Sequence, residues 1–354
     1  MSALAALISG DRPRSRLLAA ALVLILLGLA LAPFLFPGTR SLDTAARICV
    51  FVVLVASYDL MLGYGGIVSF AHTMFFGMGA YGVGLALTHM GRGWEAVLIG
   101  TLAGGAAAAL VALVIGLFSL RVRAIFFAMI TLAVASAAAV LASQLSDITG
   151  GEDGLNVPVP RELTPAFRLA EGRLFGVALN GRLVAYYLVF AAALLIFLTL
   201  LRIVNSPFGR VLQAIRENDF RAEAIGYHVV DYRTAATCLS AVAAALAGSL
   251  FVLWVRYVGP GTTLSLEIMI DILLMVVIGG MGTMYGAVIG ATIFVIAQSY
   301  LHDLMAAAAG AASALPLVPD LLNPDRWLLW LGLLFVLSVY FFPTGIVGRL
   351  RERA

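Results

Sequence analysis

The chain has 354 residues, is 62% hydrophobic and only 12% charged, and has a mean hydropathy of +1.04 with a formal net charge of +3. Soluble domains run nearer roughly 45–50% apolar and 25% charged, so this is a membrane protein, and so small a surplus of charge offers nothing to a nucleic acid. All 22 basic residues are arginine, which excludes a Walker A loop, a Schiff-base lysine and a lysine general base.

A helical span needs roughly 20 apolar residues. In chain order such runs fall near 17–36, 45–63, 67–88, 94–119, 124–143, 183–204, 234–256, 266–280, 284–302 and 327–346. They predict an all-α polytopic membrane protein with about ten transmembrane helices, folded as a single domain over 1–354. The first run follows Arg12, Arg14 and Arg16 and extends from Leu17 to Phe36. It is longer than the roughly 7–15 residues of a signal-peptide core, and Pro33 follows Ala30-Leu31-Ala32, so it reads as an uncleaved first helix.

Asp59 falls in the second run, and the third carries Ser69, His72, Thr73 and Tyr81 within GIVSFAHTMFFGMGAY. The i, i+3, i+4 spacing places Ser69, His72 and Thr73 on one helix face. Gly100 and Gly104, and later Gly282, Gly286 and Gly290, recur every fourth residue, the small-xxx-small pattern of close helix contact. Tight packing and a sliding interface both fit it. Residues 146–182 form an outward loop with TGGEDGL at 149–155 and a hairpin-turn pair at Asn180-Gly181. Glu267 and Asp271 are four apart on one face of a later run. An intramembrane carboxylate faces a cavity or a partner, so Asp59, Glu267 and Asp271 are either cation sites of an ion-coupled carrier or pathway and anchoring groups. Cys49 and Cys238 sit in apolar runs as packing residues, and His72, His89, His228 and His302 are too scattered for a metal site.

Orientation follows from arginine. Clusters stand before the first run and after the last, at Arg349, Arg351 and Arg353, so both termini are expected on the cytoplasmic side, as an even number of spans requires. That topology puts Arg121, Arg123 and residues 205–232 inside and leaves 146–182 and 303–326 outside, with 13 arginines inside and 9 outside. The clusters, more than the totals, carry the assignment.

One stretch breaks the apolar pattern: SPFGRVLQAIRENDFRAEAIGY, 206–227, with Arg210, Arg216, Glu217, Asp219, Arg221 and Glu223. Ser206-Pro207 reads as an N-cap followed by proline at the first helical position. Val211, Leu212 and Ile215 form an apolar stripe, Asn218 and Asp219 can cap a second short helix over Phe220–Ile225, and Gly226 fits a left-handed stop. Two amphipathic helices joined by a kink either rest on lipid headgroups or seat in a groove of a soluble partner. Interleaved acids and arginines suit the groove, because an anionic membrane attracts a cationic face.

This segment resembles the coupling loop of ABC-importer permeases, in the form found in branched-chain amino acid permeases of the LivM type. GYGGIVSFAHTMFFGMGAY at 63–81, TGGEDGL at 149–155 and VVIGGMGTMYGAVIGA at 276–291 resemble three further motifs of that family, in the same order. Ala71 departs where the family commonly has glycine, and Asp59 where an uncharged polar residue is expected. The resemblance implies a non-catalytic permease subunit of a bacterial inner-membrane ABC importer, without cofactor or metal of its own. Its implied partners are a second homologous permease, two ATPase subunits that bind the ATP, a periplasmic solute-binding protein and the lipid bilayer. It implies ATPase coupling through Pro207, Arg210, Arg216, Glu217, Asp219, Arg221, Glu223 and Gly226. A zwitterionic solute with an apolar side chain needs a few polar contacts beside an apolar wall. Ser69, His72 and Thr73 beside Phe75 and Phe76 can supply these, with Asp59 and Asp271 as further path residues. An interhelical hydrogen-bond cluster fits the same seam. A urea- or amide-importing permease of the same architecture is the alternative, with an ion-coupled secondary amino-acid transporter behind it.

Overall fold

The computed structural model describes residues 15–36, 38–119, 124–174, 177–311, 323, 326–341 and 344–352. Arg12, Arg14, Arg121, Arg123, Arg353 and most of the proline-rich part of 303–326 therefore lie outside the described residues. The long elements are α1 (Arg16–Leu35), α2 (Thr39–Asp59), α3 (His72–Met90), α4 (Trp94–Ser119), α5 (Ala124–Gln144) and α6 (Gly181–Val204). The short α7 (Pro207–Glu217) and α8 (Asp219–Ala224) follow, then α9 (Val229–Val255), α10 (Leu266–Gly279), α11 (Met284–Ala311), α12 (Trp327–Phe341) and α13 (Gly345–Glu352).

Among the described residues eight helices are long and apolar enough to cross a bilayer: α1, α2, α4, α5, α6, α9, α11, and α10 with the turn of helix before it. The sequence expectation was about ten. The two others are α3, whose glycines, histidines and threonines lower its hydropathy, and α12, which has 15 residues. Most of α3 is buried by protein, so it needs less lipid-soluble surface than a peripheral span. Helical geometry satisfies the backbone within each segment, as hydrocarbon surroundings demand.

Helices α3, α4 and α9 make the most extensive mutual contacts, and α2 packs against α6, α9, α10 and α11. The α2 span is 83% buried and α9 72%, against 17% for α1 at the periphery. Glycine sets the closest approaches. A Cβ on Gly79 would strike the Ala245 backbone, and one on Gly248 the Phe76 carbonyl, so α3 and α9 cross with their main chains almost touching. Gly100 and Gly104 press on α3 at Gly82 and Met78, and Gly286 and Gly290 press on α10, as the four-residue spacing suggested. Gly282 does not belong to that face: it precedes α11 in a turn, with φ +79°.

The end of the bundle opposite α7 and α8 carries the extended structure. A two-residue strand β1 (Leu155–Asn156) pairs antiparallel with β4 (Tyr257–Val258), tying the TGGEDGL loop to the end of α9. Arg256 turns that corner with φ +61° and donates to the Leu163 carbonyl at 2.7 Å. Strands β2 (Arg168–Leu174) and β3 (Val177–Asn180) form the expected hairpin. Leu174 pairs with Val177, however, and Asn180-Gly181 is not the turn between the strands. Asn180 caps α6 instead, its side chain accepting from the Leu183 N–H at 3.2 Å.

Candidate functional site

The 206–227 segment folds as its sequence directs. The Ser206 hydroxyl accepts from the Gly209 N–H at 3.5 Å, and Pro207 opens α7 where its missing N–H costs nothing. The chain breaks at Asn218, which adopts extended backbone while its side chain accepts from the Arg221 N–H at 2.9 Å and so caps α8. Gly226, at φ +98°, ends the unit. Leu212 and Ile215 are buried, and Ile215 joins Ala222 and Val229 in a small core of its own. Phe208 stacks on Tyr232 at 5.7 Å, fixing α7 to the start of α9. The helix pair is thereby half docked on its own chain.

The other half is open. Arg210, Arg216, Glu217, Asp219, Arg221 and Glu223 are exposed, and between them stand Phe220 at 80% and Ile225 at 68% exposure. Arg233 at the start of α9 lies 3.7 Å from Asp219. The charge pattern had drawn attention to the ions, yet the apolar pair is the more informative feature of this surface. Both residues fall off the α7 stripe, which was the signal that could have found them.

Arg216 behaves differently from its charged neighbours. Its guanidinium turns towards the membrane domain and donates to the carbonyl of Gly63. Gly63 lies in a π-helical turn, Leu60–Tyr64, that continues α2 and is closed by the Gly65 N–H bonding Leu60 at 3.2 Å. Asp59, one turn back and 1% exposed, accepts from the Gly282 N–H at 2.8 Å. The Met284 N–H donates to the Tyr64 hydroxyl at 3.3 Å. Asp59, which sequence reasoning placed on the path, thus anchors the turn between α10 and α11 to the end of α2.

The polar seam divides. α3 begins only at His72, so Ser69 precedes the helix and does not share a helical face with His72 and Thr73. Its hydroxyl accepts from the Ala71 N–H at 3.2 Å. His72 is fully buried, with Nε2 2.8 Å from the Ser57 hydroxyl and 3.2 Å from the Leu54 carbonyl. The Ser240 hydroxyl in turn donates to the Ser57 carbonyl at 2.5 Å, so α2, α3 and α9 meet in one hydrogen-bonded cluster. Thr73 and Phe75 are buried in the same layer, Phe75 edge-on to His72 at 6.4 Å between ring centres, and Tyr81 lies two turns further along α3. Ser57 and Ser240 carried no signal in the sequence. Asp271 is half buried on α10 and hydrogen-bonds with Gln298 of α11, while Glu267 one turn away is exposed. Among the described residues no three His, Cys, Asp or Glu side chains are placed to hold a metal ion.

The motif order and the half-docked helix pair can now be set beside known proteins. A family model described as branched-chain amino acid transport system / permease component matches residues 41–339. The chain is 26% identical over 361 residues to the high-affinity branched-chain amino acid transport system permease protein LivM of Salmonella typhimurium, covering 98% of this chain and 78% of that protein. It is 27% identical over 344 residues to the Escherichia coli protein of the same name, covering 93% and 75%. A probable branched-chain amino acid transport permease protein LivM of Methanocaldococcus jannaschii is 25% identical over 330 residues, covering 84% and 90%. No solved structure matches.

Proposed function

The chain belongs to the permease components of branched-chain amino acid transport systems, and from that premise we propose that its 205–232 loop is the docking point for the ATPase that drives it. The protein is a multi-pass membrane subunit of an ABC transport system and carries out no catalysis itself. The finer assignment is a heteromeric importer of a bacterial inner membrane: this chain, a second homologous permease, two ATPase subunits holding all the ATP, and a periplasmic binding protein. In it both termini and the 205–232 loop lie in the cytoplasm, α3 and α12 complete ten spans, and the 146–182 loop faces the binding protein.

The observation that carries the docking reading is the exposure of Phe220 and Ile225 among alternating charges, on a helix pair whose other face is already buried in its own chain. A groove that takes two apolar anchors inside a rim of mixed charge is a protein surface, because such interfaces draw their energy from a few buried aromatic and aliphatic side chains. Arg210, Glu217, Asp219, Arg221 and Glu223 then set the register, with Pro207 and Gly226 bounding the unit. On the transport path, Asp271 has accessible surface in the isolated subunit. Asp59, Ser69, His72, Thr73 and Phe75 are sealed within it and act by shaping the wall.

The test is recovery of the tagged chain in gentle detergent with mass spectrometry of what accompanies it. Wild type is expected to bring down subunits bearing a Walker A sequence. Phe220→Glu combined with Ile225→Glu is expected to reach the membrane at the same level and lose them. Undiminished recovery with the double variant would place the docking surface elsewhere.

A further inference from the structure

Arg216 is built into the coupling helix but spends its hydrogen bond on the membrane domain. Its side chain lies among three glycines from two separate elements, the stem against Gly66 and the guanidinium at Gly63 and Gly282. It donates to the Gly63 carbonyl at the end of α2. A Cβ on Gly66, which has φ +67°, would lie 3.2 Å from its Cγ. A Cβ on Gly282 would lie 2.7 Å from its Nη1. Gly63 itself has no room for a side chain, since a Cβ there would run into the Asp59 carboxylate and the Gly282 nitrogen. Three backbones and one arginine side chain therefore close on each other, with Asp59 accepting from the Gly282 N–H at 2.8 Å.

We propose that Arg216 is the internal positioning residue of the transport cycle, the side chain through which movement of the docked α7–α8 pair is passed to the π-helical end of α2 and to the 280–283 turn between α10 and α11. This rests on the ATPase-docking reading of the 205–232 loop and assigns a different task to one of its residues: Arg216, although exposed on α7, commits its guanidinium to the Gly63 carbonyl. The π-helical turn suits that task, because its wider bonding pattern breaks the regular ladder where a helix must yield. The turn beyond Gly282 leads directly into α11, and Gly280 packs against Gly345 at the start of α13. A displacement of α7 thus reaches α2, α10, α11 and α13 through one cluster. A lysine in place of Arg216 would keep the stem against Gly66 and could donate to Gly63, but lacks the planar fork that lies between the Gly63 carbonyl and Gly282.

Two measurements test it, one of which needs no partner. In the full chain alone in detergent, amide exchange at 60–66 and 280–283 is expected to speed up about tenfold in Arg216→Gln, with α4 and α9 unchanged. Unchanged exchange at Gly282 would overturn the proposed tie. In the assembled transporter in proteoliposomes, leucine uptake and ATP hydrolysis are followed in the same vesicles. Arg216→Gln is expected to keep the ATPase subunits bound and hydrolysing while uptake per ATP falls about tenfold, with Arg216→Lys in between. A wild-type ratio in Arg216→Gln would overturn the proposal. So would loss of the ATPase subunits from that variant, since Arg216 would then be a docking contact. Failure of the wild-type chain to hold an ATPase would instead strike the docking reading, leaving the exchange result to judge the tie between elements.

Discussion

His72 has no exposed surface, and its Nε2 sits 2.8 Å from a serine hydroxyl whose own carbonyl is held by a second serine 2.5 Å away. Removing the ring by His72→Ala leaves a cavity and takes one partner from the Ser57 hydroxyl, which keeps its bond to the Leu54 carbonyl at 2.7 Å, a combined loss of about 2–4 kcal/mol. The detergent-solubilised variant is expected to melt at lower temperature, while the relative uptake of leucine, isoleucine and valine by what survives stays as in wild type. A changed order of preference would return His72 to the transport path. Asp59 follows a related logic: a carboxylate in a span costs about 2.5–3.5 kcal/mol, and a hydrogen bond to a charged group returns about 1.5–3. The Gly282 amide supplies such a bond to one of its two carboxyl oxygens and so offsets part of that cost. These residues were legible because each interrupts an apolar run. Their partners were not, because Ser57 and Ser240 are ordinary small residues that only the crossing of α2, α3 and α9 brings to them.

At the level of elements, close packing without a hydrophobic force between helices depends on small residues at the crossings. Gly79 and Gly105 separate that effect from glycine content. A Cβ on Gly79 meets the backbone of α9, whereas on Gly105 nothing lies within 4 Å. Gly79→Val is expected to force α3 and α9 apart and sharply reduce the folded, monodisperse fraction in detergent, and Gly105→Ala to leave it unchanged. Equal behaviour of the two would remove the crossing as a determinant. Periodicity found Gly100, Gly104, Gly286 and Gly290, since both members of each pair sit on one helix. It missed Gly79 and Gly248, neither of which has a glycine four residues away, and it misplaced Gly282, because a four-residue spacing does not reveal that α11 starts only at Met284. The helix pair α7–α8 was readable almost to the residue, since Ser206, Pro207, Asn218 and Gly226 each act on their own backbone. The direction of Arg216 was not, because the glycines that receive it are more than 60 positions away on either side.

For the whole molecule the open question is which end of the bundle faces the cytoplasm, and the chain offers a clean way to ask. Its cysteines are Cys49, buried, and Cys238, half buried, so replacing both with alanine gives a silent background. Glu152 lies in the loop tied down by β1 and β4, and Phe220 lies on α8 at the opposite end; both are exposed. The arginine clusters assign the first to the outside and the second to the cytoplasm. In intact cells that carry the chain without its ATPase subunits, a membrane-impermeant maleimide is expected to label Glu152→Cys and spare Phe220→Cys, and both should react once the membrane is opened. Labelling of Phe220→Cys in intact cells would put the helix pair on the side without ATP, and the docking surface and the route through Arg216 would have to be abandoned together. The same result would also show that arginine clusters at chain ends can be outweighed by the nine arginines assigned to the other face.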